Sequence, residues 1–261
     1  MGRFHRHDDG AMHSHEHDDG TAHTHDHEHG DHSGYGTGSE RIDVLEAIFA
    51  ENDIRADYNR QAFEANGVRA LNLMSSPGSG KTTVLGATLD ELAGEMAVGV
   101  IEGDIATDLD AAKLGGRGAQ ISLLNTGNGF GGECHLDAPM VNRALQGLQL
   151  TGLQLVIIEN VGNLVCPAEF DVGEHAKAMV YSVTEGDDKP LKYPVMFRAV
   201  DVVLLNKIDL IPYLDVDVDR YIAHIREVNP MATILPVSAR TGDGMSAWFG
   251  WVRRFVAGDS P

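Results

Sequence analysis

Beyond Ser39 the apolar positions follow two alternating rhythms. Unbroken apolar runs recur: "LNLMS" (Leu71–Ser75), "AVGVIEGD" (Ala97–Asp104), "AQISLLN" (Ala119–Asn125), "LQLVIIEN" (Leu153–Asn160), "VDVVLLNK" (Val200–Lys207) and "ATILPVS" (Ala232–Ser238). Runs of this kind mark strands covered on both faces, as in a parallel sheet. Between and after them the spacing turns helical: Lys81–Glu95, Asp108–Leu114, Pro139–Leu150, Val218–Val228 and Met245–Val256. Pro139 stands near a helix start, where its missing N–H is no loss. Upstream, Ile42, Leu45, Ile48, Phe49, Ala62 and Phe63 predict one or two amphipathic helices within residues 40–66. The alternation predicts an α/β fold, a doubly wound, mostly parallel sheet.

Residues 1–38 show neither rhythm. They hold ten of the thirteen histidines: His5, His7, His13, His15, His17, His23, His25, His27, His29 and His32. A stretch so poor in apolar residues cannot offset its chain entropy, so it is expected to be a disordered tail without metal. "SGYGTGS" (Ser33–Ser39) reads as a flexible linker, dividing the chain into 1–38 and a folded 39–261.

The formal charge is −19. Such acidity argues against general binding to nucleic acid or anionic membranes. Two cysteines, Cys134 and Cys166, cannot build a disulfide framework, and no apolar stretch approaches ~18 residues. A reducing, cytoplasmic setting is expected, with thiols available as ligands.

"LMSSPGSGKTT" joins the first strand to a helix. The phosphate-loop pattern wants Gly where Ser75 stands, but Gly80, Lys81 and Thr82 are in place. Gly78 and Gly80 let the backbone amides, with those of Ser79 and Thr83, face phosphate oxygens. Lys81 reaches the β/γ phosphates, and the Thr82 hydroxyl can ligate Mg²⁺. "LLNKIDL" then sets Asn206, Lys207 and Asp209 at a strand end. Asp209 can accept from guanine N1–H and N2–H₂, a donor pair adenine lacks. Asn206 can bond the guanine edge or brace the loops, and the Lys207 stem can cover the base. In "VSAR", Ser238 and Ala239 can offer a backbone N–H to guanine O6. GTP and GDP are the expected nucleotides.

"ENVG" places Glu159 and Gly162 at the end of a central strand. Glu159 can orient Mg²⁺ or its water, Gly162 can meet the γ-phosphate, and Asp104 is a second Mg²⁺ ligand candidate. No glutamine is evident to position water, so intrinsic turnover is expected to be slow. Cys134 and His135 occupy a Gly-rich loop, and Cys166 follows Gly162 by four residues. Two thiols and an imidazole at one end of the sheet suit Ni²⁺ or Zn²⁺. Three ligands leave a position open, which two facing chains could fill. His175 and His224 read as surface or internally satisfied histidines, and "DVDVD" (Asp215–Asp219) as a solvated helix start.

Together, "SSPGSGKTT", "EGDIATDLDA", "GGECHLDA", "ENVGNLVCPAEFDVGE", "DDKPLKYP", "LLNKIDL" and "PVSARTGDGM" resemble the HypB-type hydrogenase nickel-incorporation GTPases, within the metallochaperone P-loop GTPases. The resemblance spans Ser75 to Met245. It implies GTP hydrolysis linked to nickel insertion into the [NiFe]-hydrogenase large subunit. It also implies Cys134, His135 and Cys166 as metal ligands at a homodimer interface, and Lys81, Thr82, Asp104 and Glu159 as the nucleotide–Mg²⁺ set. Lys189 or Lys192 would touch nucleotide across that dimer. Implied partners are a HypA-type nickel carrier and the hydrogenase large-subunit precursor. The Cys-x-x-Cys-Gly-Cys start of some members is missing, and the histidine-rich tail stands in its place.

In that tail His alternates with Asp, Glu, Ser, Thr and Gly, unlike a purification tag. Imidazole, with a pKa of roughly 6.5, is mostly neutral near pH 7 and ligates nickel well. The tail is therefore expected to store nickel or zinc, weakening below about pH 6. Two other readings fit: a nickel or zinc storage protein with a regulatory G domain, and a chaperone for another nickel enzyme such as urease.

Overall fold

The computed structural model describes residues 15–16, 22–23, 38–103, 116–124 and 135–259, with side chains from residue 48 onward. It separates into two compact units, Met1–Glu46 and Ala47–Pro261. In the first, His15–Glu16 pairs antiparallel with Ala22–His23, and the helix α1 (Gly38–Ala65) begins. The other tail histidines, together with Asp104 and Cys134, lie outside the described residues, as does the predicted helix at Asp108–Leu114.

Among the described residues the second unit holds seven strands: β1 (Arg69–Ser75), β2 (Val98–Glu102), β3 (Gln120–Leu123), β4 (Leu155–Gly162), β5 (Ala176–Ser182), β6 (Val202–Asn206) and β7 (Thr233–Pro236). All pair in parallel, in the order β3-β2-β4-β1-β5-β6-β7. Among the described residues the other α-helices are α2 (Lys81–Leu92), α3 (Ala138–Leu145), α4 (Cys166–Glu169), α5 (Lys189–Lys192), α6 (Pro194–Arg198), α7 (Val218–Val228) and α8 (Met245–Ala257).

Side chains alternate across a strand, so each strand feeds two cores. Leu155 and Ile157 of β4 join Leu71, Leu73 and Val100 under α2 and α8, where Trp248, Trp251 and Phe255 stack. Val156 and Ile158 point the other way, into a cluster with Phe63 of α1, Leu136, and Met140 and Val141 of α3. Further along that second face, Met179, Tyr181 and Leu205 pack with Phe197 of α6 and Tyr221 and Ile225 of α7. The doubly wound α/β expectation is met.

One expectation is narrowed, from one or two helices to one, and two need correction. The helical stretch before the sheet is a single helix, α1, because no proline interrupts it and Asn52 and Asn59, which break its apolar spacing, are satisfied by tertiary bonds. Strand β5, between β1 and β6, is additional to the predicted strands: "AKAMVYS" carries Lys177 and two alanines and reads as weakly apolar. The helix expected to reach Leu150 ends at Leu145, as Gly147 turns the chain back through its N–H to Ala144 O.

Strands β1 and β4 slip at their C-terminal ends. Leu73 faces Glu159, but Ser75 faces Gly162, so β4 gains one residue across Asn160 and Val161. An extra residue of this kind leaves the ladder locally broken and re-aims its side chains. Here it stands where the phosphate loop leaves β1.

Candidate functional site

Residues 76–80 turn from β1 into α2. Gly80 caps α2 with φ 101°, and a Cβ there would stand 2.6 Å from Asn206 Nδ2, so only glycine fits. At the head of α2, the Lys81 ammonium lies 2.7 Å from Glu159 Oε1, and the Thr82 hydroxyl donates to the same oxygen at 2.9 Å. Glu159 is fully buried, and its Oε2 has no hydrogen-bond partner among the described residues. A buried carboxylate oxygen of this kind suits a cation or cation-bound water. A Cβ on Gly162 would come within 3.4 Å of Pro77, so this backbone lies directly across the loop. Ser75 to Thr83 and Gly162 enclose a cavity of about 230 Å³.

A second cavity of about 580 Å³ adjoins it, lined by Gly80, Thr83, Asn206, Lys207, Asp209, Leu210, Ala239 and Arg240. Of the two roles open to Asn206, the brace is the one the geometry displays. Its Nδ2 donates to Ser79 O at 2.9 Å, and its Oδ1 accepts from Ala239 N at 3.1 Å. Lys207, at φ 65°, donates from Nζ to Gly78 O at 2.6 Å, laying its stem along the cavity. Ser238 Oγ donates to Asp209 Oδ1 at 2.7 Å, which fixes the carboxylate. Arg240 is a lining residue that the motifs do not single out, although it directly follows Ala239 in "VSAR".

The loop before α5 also holds more than its sequence signals. Ser76 Oγ donates to the Glu185 carboxylate, which also accepts from Ser182 N at 2.9 Å and lies 3.5 Å from Lys189 Nζ. Lys192 pairs with Asp188 at 2.5 Å. Within one chain both lysines thus face acids of their own loop.

Of the expected metal ligands, His135 and Cys166 are described. The His135 ring stacks on Phe170, centroids 4.1 Å apart, and Phe170 ends the one-turn helix that Cys166 begins. Among the described residues no three His, Cys, Asp or Glu side chains gather into a metal-sized group. Both segments are held by α1. Asn52 donates to Asp171 O at 2.8 Å and accepts from Ala138 N at 2.9 Å. Asn59, fully buried, donates to Ala138 O at 2.9 Å and Val172 O at 3.0 Å.

The two remaining histidines are internally satisfied. His224 Nδ1 lies 2.8 Å from Asp187 O. His175 Nδ1 accepts from Ala70 N at 2.9 Å. Burial, then the charges of Arg69 and Arg60, hold the His175 ring below its ordinary pKa.

Residues 69–236 match the family model described as CobW/HypB/UreG, nucleotide-binding domain. Hydrogenase maturation factor HypB of Azotobacter chroococcum is 52% identical over 218 residues, covering 83% of this chain and 70% of that protein. The chain belongs to the HypB family of hydrogenase maturation factors. HypB from Archaeoglobus fulgidus superposes with a TM-score of 0.73 at 36% identity, over 79% of this chain and 99% of that one. HypB from Helicobacter pylori, solved in complex with nickel, gives 0.74 at 33% identity, over 81% and 98%. The phosphate loop and both cavities thus sit in a P-loop nucleotide-binding domain of the HypB family. No helix among the described residues is long and apolar enough to cross a membrane.

Proposed function

We propose that this protein is a GTP-hydrolysing nickel metallochaperone that helps insert nickel into the [NiFe]-hydrogenase large subunit. The observation that carries the reading is one continuous segment. Glu159 meets Lys81 and Thr82, Gly162 lines the phosphate cavity, and Cys166 opens α4 four residues later. Movement at the phosphates therefore has a short covalent route to a thiol.

In this reading Asp209, with Ser238 holding it, selects guanine, and the Ala239 amide region closes over the base. The backbone of Gly78, Ser79 and Gly80 cradles the phosphates, with Lys81 at their β/γ end. Thr82, Glu159 and Asp104 would hold Mg²⁺, which neutralises charge on the β/γ oxygens. The orphaned Glu159 oxygen and the Thr82 hydroxyl fit that ion. Slow turnover is expected, since the motifs hold no evident glutamine to orient water in the way a switch glutamine does. Nickel, as cargo, is held by Cys134, His135 and Cys166, with the ten N-terminal histidines as a nickel and zinc store. The assembly is a homodimer that pools these ligands, served by a HypA-type carrier.

The test is a nickel titration of the full chain and of Cys166→Ala, each with GDP and with a non-hydrolysable GTP analogue, beside a GTP/ATP turnover assay. Expected are turnover of GTP over ATP, and loss of nucleotide-sensitive nickel binding in Cys166→Ala. Hydrolysis of neither nucleotide, or identical nickel binding in the two chains, would refute the proposal.

A further inference from the structure

Glu159 and Asn160 are neighbours in β4 but serve opposite faces of the sheet. Glu159 continues the face of Leu155 and Ile157 and meets α2. Asn160 continues the face of Val156 and Ile158, toward Leu136. It is fully buried. Its Oδ1 accepts two backbone amides, Leu136 N at 3.1 Å and Val161 N at 2.9 Å. A carboxamide oxygen has two lone pairs, and both are engaged.

The two amides belong to different machinery. Val161 lies in the slipped end of β4, directly before Gly162 at the phosphate cavity. Leu136 directly follows His135. The Leu136 side chain is fully buried and packs over Gly103, just past the end of β2, where any Cβ would stand 2.5 Å from its Cδ atoms. Asn160 also has a polar partner behind it. Its Nδ2 donates to Asn72 Oδ1 at 3.3 Å, and Asn72 Nδ2 donates to Glu174 Oε1 at 3.3 Å. Glu174 Oε2 accepts from Val172 N at 2.8 Å, and Lys177 Nζ stands 3.3 Å from Oε1. The carboxamide is therefore linked to the frame of the sheet through a buried polar chain whose two carboxamide bonds are long, 3.3 Å each.

We propose that Asn160 is the positioning residue that makes the Val161–Gly162 segment and the His135–Leu136 segment move as one. A shift of Gly162 at the phosphates displaces the Val161 amide. The shared oxygen must then either carry Leu136 along or lose one buried amide. Leu136 is covalently joined to His135, so a displacement carried to the Leu136 amide reaches His135. The inference rests on the function proposed above and adds the residue through which nucleotide state reaches the metal loop.

The test uses the full chain. Nickel at the cysteines is followed by thiolate-to-nickel charge-transfer absorbance, to which a tail without cysteine contributes nothing. The quantity read is the ratio of nickel dissociation constants with GDP and with a non-hydrolysable GTP analogue. Coupling of this kind typically spans ~5–150-fold. Asn160→Ala is expected to bring the ratio to within about twofold of one. Asn160→Asp keeps an oxygen for both amides but gives up the Nδ2 donor to Asn72, and is expected to retain more of the wild-type ratio than Asn160→Ala. A wild-type ratio in Asn160→Ala overturns the inference alone, as does equal loss in both variants. A wild-type ratio of one overturns the proposed function with it. Amide hydrogen exchange on the unaltered protein gives a second reading, independent of how the variants fold. Protection at Leu136 and Val161 is expected to change together when the nucleotides are exchanged. An indifferent Leu136 amide beside a responding Val161 amide overturns the inference.

Discussion

Two glycines of the phosphate loop offer a matched pair of perturbations. Gly78 has φ 74° with nothing within 4 Å of where a methyl group would stand, whereas Gly80 has φ 101° and meets Asn206 Nδ2 at 2.6 Å. Alanine at either site suffers the left-handed backbone penalty, about 1–2 kcal/mol. Only Gly80→Ala also displaces Asn206, which is buried and bonded to Ser79 O and Ala239 N. Two hydrogen bonds at ~1 kcal/mol each put Gly80→Ala about 2 kcal/mol below Gly78→Ala. In a unit of this size that difference corresponds to about 4–8 °C in Tm. If it also falls on the nucleotide-bound form, affinity for a fluorescent GDP analogue drops about thirtyfold further. Thermal unfolding and a binding titration read the two quantities. Equal destabilisation of the two variants, within ~0.5 kcal/mol, would show that Asn206 braces nothing.

Three further outcomes follow from the described geometry. Asn59→Ala should lower stability to urea by about 2–4 kcal/mol, because the Ala138 and Val172 carbonyls lose their donor; a loss under ~1 kcal/mol would contradict the clip. Since the folded His175 pKa lies below the unfolded value of roughly 6.5, its contribution is full above that pH and is lost as pH falls toward the folded value. The urea midpoint should therefore fall more steeply below about pH 6.5 in wild type than in His175→Gln, and parallel pH curves would contradict this. Trp248→Phe removes the indole donor to Thr88 Oγ1, 2.8 Å away, and should cost about 1–2 kcal/mol in denaturant titration; an unchanged midpoint would deny that bond any role.

Much of this arrangement was legible in the chain because backbone chemistry demanded particular residues. A glycine at φ 101°, a lysine opening the helix behind it and an acid closing the neighbouring strand announce a phosphate loop at any sequence distance. The apolar runs located six of the seven strands. Strand β5 escaped because its surroundings, not its own residues, make it a strand: it is paired on both sides, and Lys177 near its start leans on Glu174. Strand order was likewise hidden, since pairing is decided between segments far apart in sequence. The same holds for Asn160, Asn52 and Asn59. Each is an ordinary polar residue until its long-range partners, from 24 to 119 positions away, are known.

The grip of α1 on both sides of the cysteine–histidine region sets a boundary for trimming the chain. Phe49 rests against Phe170 at 5.2 Å, and Asn52 follows within one turn. A shortened protein that begins between His32 and Phe49 sheds every N-terminal histidine and keeps these fastenings. One that begins past Asn59 releases residues 138 and 171–172 together, so its defects would report a loosened scaffold, not the missing imidazoles.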